Sequence, residues 1–265
     1  MAVKPYLIRI ASQKGGVGKT TVAVNLSVAL MQKGYDVLLV DADTTNPACG
    51  FHLGMEKSNR GYYDVMKKGA NIKEAISIHT PSGVHVLNGR IDVMPFVISY
   101  AEAKRFVASA SKLAYDFVIF DTQPGFYDPK IAELADEVLF ITTPDMPSCT
   151  STIKLSIESN NRMVKHALLI NRAQGKRYEL NEREITNMYE GRVLGKLPED
   201  PLVQEGIASQ IPVALSRKKS PFVKAINILA DMYTLNKPSK TQPQRGRMLS
   251  IFGRRKRTAI DARSA

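Results

Sequence analysis

Lys14 to Thr21 reads K-G-G-V-G-K-T-T, between a short apolar run, YLIRIA at residues 6–11, and a stretch with helical spacing at residues 20–33. Glycines strip side chains from a turn, so successive backbone N–H groups can converge on one oxyanion, and a helix opening beside them adds the positive end of its dipole. A strand-loop-helix context with this string is what a phosphate loop requires. Gly15, Gly16, Val17, Gly18, Lys19, Thr20 and Thr21 are therefore the expected phosphate-binding residues. Lys19 is placed to reach β- and γ-phosphates, and the Thr20 hydroxyl to coordinate Mg²⁺.

Three carboxylates follow at the ends of apolar runs. Asp41 and Asp43 close VLLV at residues 37–40, and Asp121 closes FVIF at residues 117–120. The carboxyl ends of such strands border the crevice where open α/β sheets bind ligands. An acid in the position of Asp121 is the Walker B group, which holds Mg²⁺ through its water shell, and Pro124-Gly125 after it reads as part of a switch loop. Asn171-Arg172 stands at the end of ALLI, residues 167–170. The chain contains no N-K-x-D guanine motif, so ATP is expected rather than GTP.

Lys14 stands where an ordinary phosphate loop imposes no identity. With it, K-G-G-x-G-K-T-T resembles the deviant Walker A motif of the MinD/ParA family of P-loop ATPases, and the chain as a whole is most similar to the MinD branch. The resemblance implies a Mg-dependent ATP hydrolase that forms an ATP-dependent homodimer, with Lys14 reaching across to the partner's phosphates as an arginine finger would. It implies catalytic roles for Lys14, Lys19 and Asp43, with Asp43 orienting the attacking water and Asp41 acting on the magnesium shell or the partner's lysine. Thr20, Asp41 and Asp121 become the metal residues. Asn171, Arg172 and Pro198, the last in L-P-E-D at residues 197–200, become the base pocket, with the Asn171 amide offering the adenine edge both a donor and an acceptor. Gln13 stands where the general phosphate-loop pattern has its first glycine and looks more like the partition branch of the family, whereas Gln123 departs from the family pattern, standing where a switch II proline is usual.

These residues need a sheet to hold them. The short buried runs at residues 6–11, 37–40, 117–120, 138–142, 167–170 and 193–197 alternate with helical stretches at 20–33, 99–114, 149–163 and 220–235. That alternation predicts an α/β fold, a doubly wound, mostly parallel sheet of P-loop NTPase type. Gly34 is expected to close the first helix in the left-handed region. Cys49, Cys149, His52, His79, His85 and His166 show no C-x-x-C or H-x-x-x-H spacing, which argues against a zinc site within one chain.

Of 265 residues, 44% are apolar and 23% charged, enough for one full domain, and the net charge of +12 biases the chain toward anionic partners. That charge is uneven. Residues 237–265, which open as a linker with two prolines, carry nine basic side chains and one acidic, +8 of the +12. The division is therefore an ATPase domain, 1–236, and a basic linker with an amphipathic tail, 237–265. On a helical wheel Met248, Leu249, Ile251 and Phe252 fall within an arc of roughly 160°. Followed by R-R-K-R at residues 254–257, they suit an interfacial anchor on an anionic membrane surface. No apolar run approaches the roughly 20 residues of a spanning helix, and there is no signal-peptide pattern. The expected location is cytoplasmic, peripheral on the inner face of the cell membrane, with a protein activator or regulator as a further partner. The alternative is a partition ATPase whose basic surface holds non-specific DNA, since a basic tail also serves a phosphate backbone.

Overall fold

The computed structural model describes residues 4–125 and 129–235. The chain opens with β1 (Tyr6–Ala11), α1 (Lys19–Gln32) and β2 (Val37–Ala42), and a region of short elements follows: α2 (Cys49–Leu53), α3 (Tyr62–Lys68), α4 (Ile72–Ala75), β3 (Ser77–Ile78) and β4 (His85–Leu87). Then come α5 (Tyr100–Ala110), β5 (Phe117–Thr122), α6 (Pro129–Ala132), β6 (Glu137–Thr142), α7 (Met146–Asn160) and β7 (His166–Ala173). The last are α8 (Glu182–Met188), β8 (Arg192–Pro198), α9 (Pro201–Ala208), α10 (Val213–Ser216) and α11 (Pro221–Thr234).

The strands form one sheet in the order β3-β4-β2-β5-β1-β6-β7-β8, parallel except for the β3–β4 edge pair. It is the doubly wound sheet that the alternation predicts. The central strands β1, β2, β5 and β6 are buried on both faces, which is why they read as continuous apolar runs rather than alternating ones. On one face α1 packs on β2 and β5 with α11 beside it against β8, and wholly buried Phe117 sits edge-on to Tyr35, ring centroids 5.5 Å apart. On the other face α3 and α5 meet through Tyr62 and Phe106, centroids 5.3 Å apart. Both layers clamp the carboxyl ends of β1, β2 and β5, where the chemistry-bearing residues lie.

Several boundaries differ from expectation for local reasons. α1 starts at Lys19, one residue early, and Gly34 follows it at φ 87°, in the left-handed region as expected. α5 begins after Ser99, whose hydroxyl and Glu102 form a capping box, and stops at Ala110 rather than 114. α7 starts at Met146, three residues before position 149, because the Asp145 carboxylate accepts from Ser148 N at 2.9 Å and Pro147 fits the first turn. β2 runs on through Asp41 to Ala42, paired with Asp121 and Thr122 of β5, so Asp41 lies inside the strand. α11 ends at Thr234. The expected membrane residues Met248, Leu249, Ile251 and Phe252 lie outside the described residues. Among those described, no helix is long and apolar enough to cross a membrane.

Candidate active site

The phosphate loop occupies the turn from β1 into α1. Gly18 is the N-cap of α1 at φ 96°, no side chain caps the helix, and no acid stands in its first turn. Its leading N–H groups are thus free of protein side chains, the state in which a helix terminus receives an anion. Gly16, at φ 76°, and Gly18 lie in the left-handed region, where an L side chain is strained. At Gly18 space is denied as well: a Cβ would fall 2.2 Å from Asn171 Nδ2. Residues 13–16 are exposed while Val17 is buried, so the loop presents its backbone outward and is anchored at its C-terminal half.

Asn171 is that anchor. Its side chain is 3% exposed, and Nδ2 donates to Val17 O at 2.7 Å. One amide proton expected for an adenine edge is thereby given to the loop backbone, a role that the residue type alone does not reveal. Arg172, next in β7, has φ 59°, and its Nε lies 3.7 Å from Glu199 Oε2. Ala173 pairs with Pro198 across β7 and β8. The sheet therefore brings Asn171, Arg172 and Pro198 to one rim. Asp200, by contrast, is structural: it caps α9 by accepting from Leu202 N at 3.0 Å and receives the Ser220 hydroxyl.

Beneath the loop, adjacent strands put Asp41 and Asp121 side by side in register. Both are 1% exposed, and Asp41 Oδ1 and Asp121 Oδ1 have no hydrogen-bond partner. Asp121 Oδ2 accepts from Thr20 Oγ1 at 2.6 Å, and Asp41 Oδ2 from Cys49 N at 2.9 Å. Burial, then the neighbouring Asp121 charge, pushes the Asp41 carboxyl well above its ordinary range. Burial likewise raises Asp121, to about 6, against the Thr20 hydrogen bond and the Lys19 charge. Lys19, 7% exposed, is lowered by burial and held up in part by Asp121 and Asp43. Two orphaned buried carboxylate oxygens and a threonine hydroxyl are a hard donor set short of positive charge, and they fit Mg²⁺. Thr20, Asp41 and Asp121 could hold that ion.

Asp43 is half-buried, and Oδ1 accepts from Thr45 N at 3.0 Å, Thr45 Oγ1 at 2.7 Å and Asn46 N at 2.8 Å. It caps its own turn, whatever it does to a water. Gln123, in the place of the usual proline, accepts from Thr44 Oγ1 at 3.0 Å and so joins the loop after Asp43 to the loop after Asp121. Gly125 N reaches Ser12 O at 3.1 Å, tying that second loop to the phosphate loop. Lys14 is set apart from these groups. Its side chain is 44% exposed and ion-paired at 3.5 Å with Asp145, itself 50% exposed. Cys49, which the sequence reading set aside, is wholly buried, with Sγ 3.6 Å from Asp121 Oδ2. Its position eight residues after Asp41 was the available signal, but without paired cysteine or histidine spacing it carried no meaning.

The family model described as an AAA domain matches residues 6–166, and an uncharacterised ATP-binding protein of Methanocaldococcus jannaschii is 31% identical over 85% of this chain and 87% of its own. The septum site-determining protein MinD of Pyrococcus horikoshii, complexed with Mg-ADP, superposes with TM-score 0.80 and 27% identity, over 88% of this chain and 96% of that one. This chain belongs to the MinD/ParA family of P-loop ATPases. The cell division ATPase MinD of Pyrococcus furiosus has the same TM-score of 0.80 at 29% identity, covering 89% of this chain and 100% of that one. ATP and Mg²⁺ are the cofactors of the family, in agreement with the donor set under the phosphate loop.

Proposed function

We propose that this MinD/ParA-family protein is a Mg-dependent ATP hydrolase that dimerises on ATP, binds an anionic membrane through its C-terminal tail and leaves it on hydrolysis, positioning a division or other polar machinery. The observation that carries the catalytic part is the convergence of Thr20, Asp41, Asp121 and Lys19 beneath the uncapped start of α1. The loop N–H groups and Lys19 bind the phosphates and hold them against the sheet edge. Thr20, Asp41 and Asp121 would hold Mg²⁺, which would supply positive charge against the phosphates. Asp43 orients the attacking water. Asn171, Arg172 and Pro198 receive the base.

Lys14 supports the dimer. An exposed pair such as Lys14–Asp145 contributes about 0 to 1 kcal/mol, so the lysine is released at little cost when a second copy presents its phosphates. Completing the charge around the transferring phosphoryl only in the dimer couples hydrolysis to assembly. The membrane part rests on the sequence of the tail, an apolar cluster at residues 248–252 flanked by basic residues. Four apolar side chains anchor weakly alone, and two tails on one dimer act with much greater avidity.

Light scattering with ATP and Mg²⁺ tests the dimer, which Lys19→Ala loses together with nucleotide binding. Ending the chain at residue 243 is expected to abolish sedimentation with anionic vesicles and to spare ATPase activity. Tight vesicle binding by the truncated chain overturns the membrane reading, and ATP-dependent retention on duplex DNA instead of vesicles favours a partition ATPase.

A further inference from the structure

Cys49 has no part in the mechanism above, yet it is buried in direct contact with the metal residues. Cys49, Asp41 and Asp121 offer one ligand atom each, all within 4.8 Å of one another. The thiol leans on Asp121 Oδ2 at 3.6 Å, while the second oxygen of each carboxylate, Asp41 Oδ1 and Asp121 Oδ1, is buried without a hydrogen-bond partner. Those two oxygens are independent of the cysteine, and both are the kind of orphan that a cation satisfies. Mg²⁺ can use only the oxygens, because it is a hard ion that demands oxygen ligands.

We propose that Asp41, Cys49 and Asp121 form a mixed carboxylate–thiolate site for a borderline-soft divalent cation of the Zn²⁺ class, overlapping the Mg²⁺ position. A tetrahedral centre with a metal–sulfur bond of about 2.3 Å and a metal–oxygen bond of about 2.1 Å sets sulfur and oxygen about 3.6 Å apart. Sγ and Asp121 Oδ2, the oxygen that also accepts from Thr20 Oγ1, already stand at 3.6 Å. Three protein ligands leave the fourth position open to water or to a phosphate oxygen. On binding, the Sγ–H bond breaks, the proton passes to solvent, and the sulfur lone pair enters the metal–sulfur bond with no change of oxidation state. The donors come from two strands and a helix start, so no local spacing could have announced them. Thiophilic ions thereby compete with Mg²⁺ for the Asp41 and Asp121 oxygens. The inference rests on the reading of those two aspartates as metal residues.

The test uses the full chain without nucleotide and Cd²⁺ as a spectroscopic stand-in for Zn²⁺. The expected result is one equivalent of Cd²⁺ with an ultraviolet Cd–thiolate charge-transfer band, kept in Cys149→Ser, lost in Cys49→Ser and bleached by excess Mg-ADP. Cys149 is a fair control because its thiol contacts Thr142 Oγ1 and Thr143 O, away from the two aspartates. Asp41→Asn, which keeps the thiol, is expected to weaken Cd²⁺ binding at least tenfold, and it serves if Cys49→Ser does not fold. No thiolate band in the natural chain, a band that survives in Cys49→Ser, or unchanged affinity in Asp41→Asn overturns the proposal. Failure of the band alongside intact Mg-ATPase activity overturns this inference alone. Absent ATPase activity with the band intact overturns the proposed function alone.

Discussion

Replacing Asn171 separates two jobs that the same amide could do. In the structure Nδ2 donates to Val17 O at 2.7 Å from a side chain that is 3% exposed. Asn171→Ala leaves the Val17 carbonyl without that donor in a buried position, a loss of about 1 to 3 kcal/mol of folding stability. The hydrogen bond itself contributes about 0.5 to 1.5 kcal/mol to holding the loop in one conformation. The binding-competent fraction, and hence affinity, then falls about 2- to 13-fold. A brace acts on the phosphate cradle, so inorganic pyrophosphate must lose as much affinity as ATP does, although it has no base. Asn171→Asp sets a carboxylate against the Val17 carbonyl and is expected to be worse than alanine on both counts. Urea unfolding gives the stability term, and calorimetric titration with ATP, ADP and pyrophosphate gives the affinities. If pyrophosphate binds the alanine variant as it binds the natural chain, with the unfolding midpoint unmoved and only ATP weakened, the brace is wrong and adenine contact is the whole role.

Three further outcomes follow from the same geometry. Gly18→Ala combines a left-handed φ with a Cβ 2.2 Å from Asn171 Nδ2, and backbone strain of about 1 to 2 kcal/mol plus the displaced amide is expected to cost about 2 to 5 kcal/mol in urea unfolding. Asp43→Asn keeps an acceptor for the Thr45 and Asn46 N–H groups but removes the carboxylate, so ATP binding should survive while turnover falls roughly 10²- to 10⁴-fold; normal turnover would reduce Asp43 to a turn cap. His52 is half-buried, and burial holds its pKa down at about 4. Its unfolded value of about 6.5 means that the unfolded chain takes up a proton which the native one refuses. The stability that it contributes is complete above pH 6.5 and drains away as pH falls toward 4. Between about pH 7.5 and about pH 5 the natural chain should therefore lose about 1 to 2 kcal/mol more than His52→Gln, discounted for partial exposure, and equal losses would refute the shift.

What could be read in the sequence was whatever the backbone period or a fixed motif announces. The central strands are apolar without interruption because helices cover both faces, and the phosphate loop stands out because its glycines and Lys19 are constrained together. Asp41 and Asp121 were legible as strand ends, but their pairing in register was not, since β2 and β5 are joined by a long excursion through short elements. Those elements were themselves illegible: Ser77–Ile78 and His85–Leu87 are too short to show a period. Asn171 was found by type, but its second role was hidden, because a hydrogen bond to Val17, 154 residues away in sequence, leaves no trace in local pattern. Gln123 looked like a lost proline and is an acceptor for Thr44. Cys49 became visible only once Asp41 and Asp121 stood beside it.

The proposed function requires that nucleotide state decide where this ATPase resides. Its most direct test is sedimentation of the full chain with anionic vesicles, and in parallel retention on duplex DNA, each with Mg-ATP and with Mg-ADP. The account predicts vesicle binding with Mg-ATP, release with Mg-ADP and no ATP-dependent hold on DNA. Vesicle binding indifferent to nucleotide, or ATP-dependent binding to DNA alone, would contradict it.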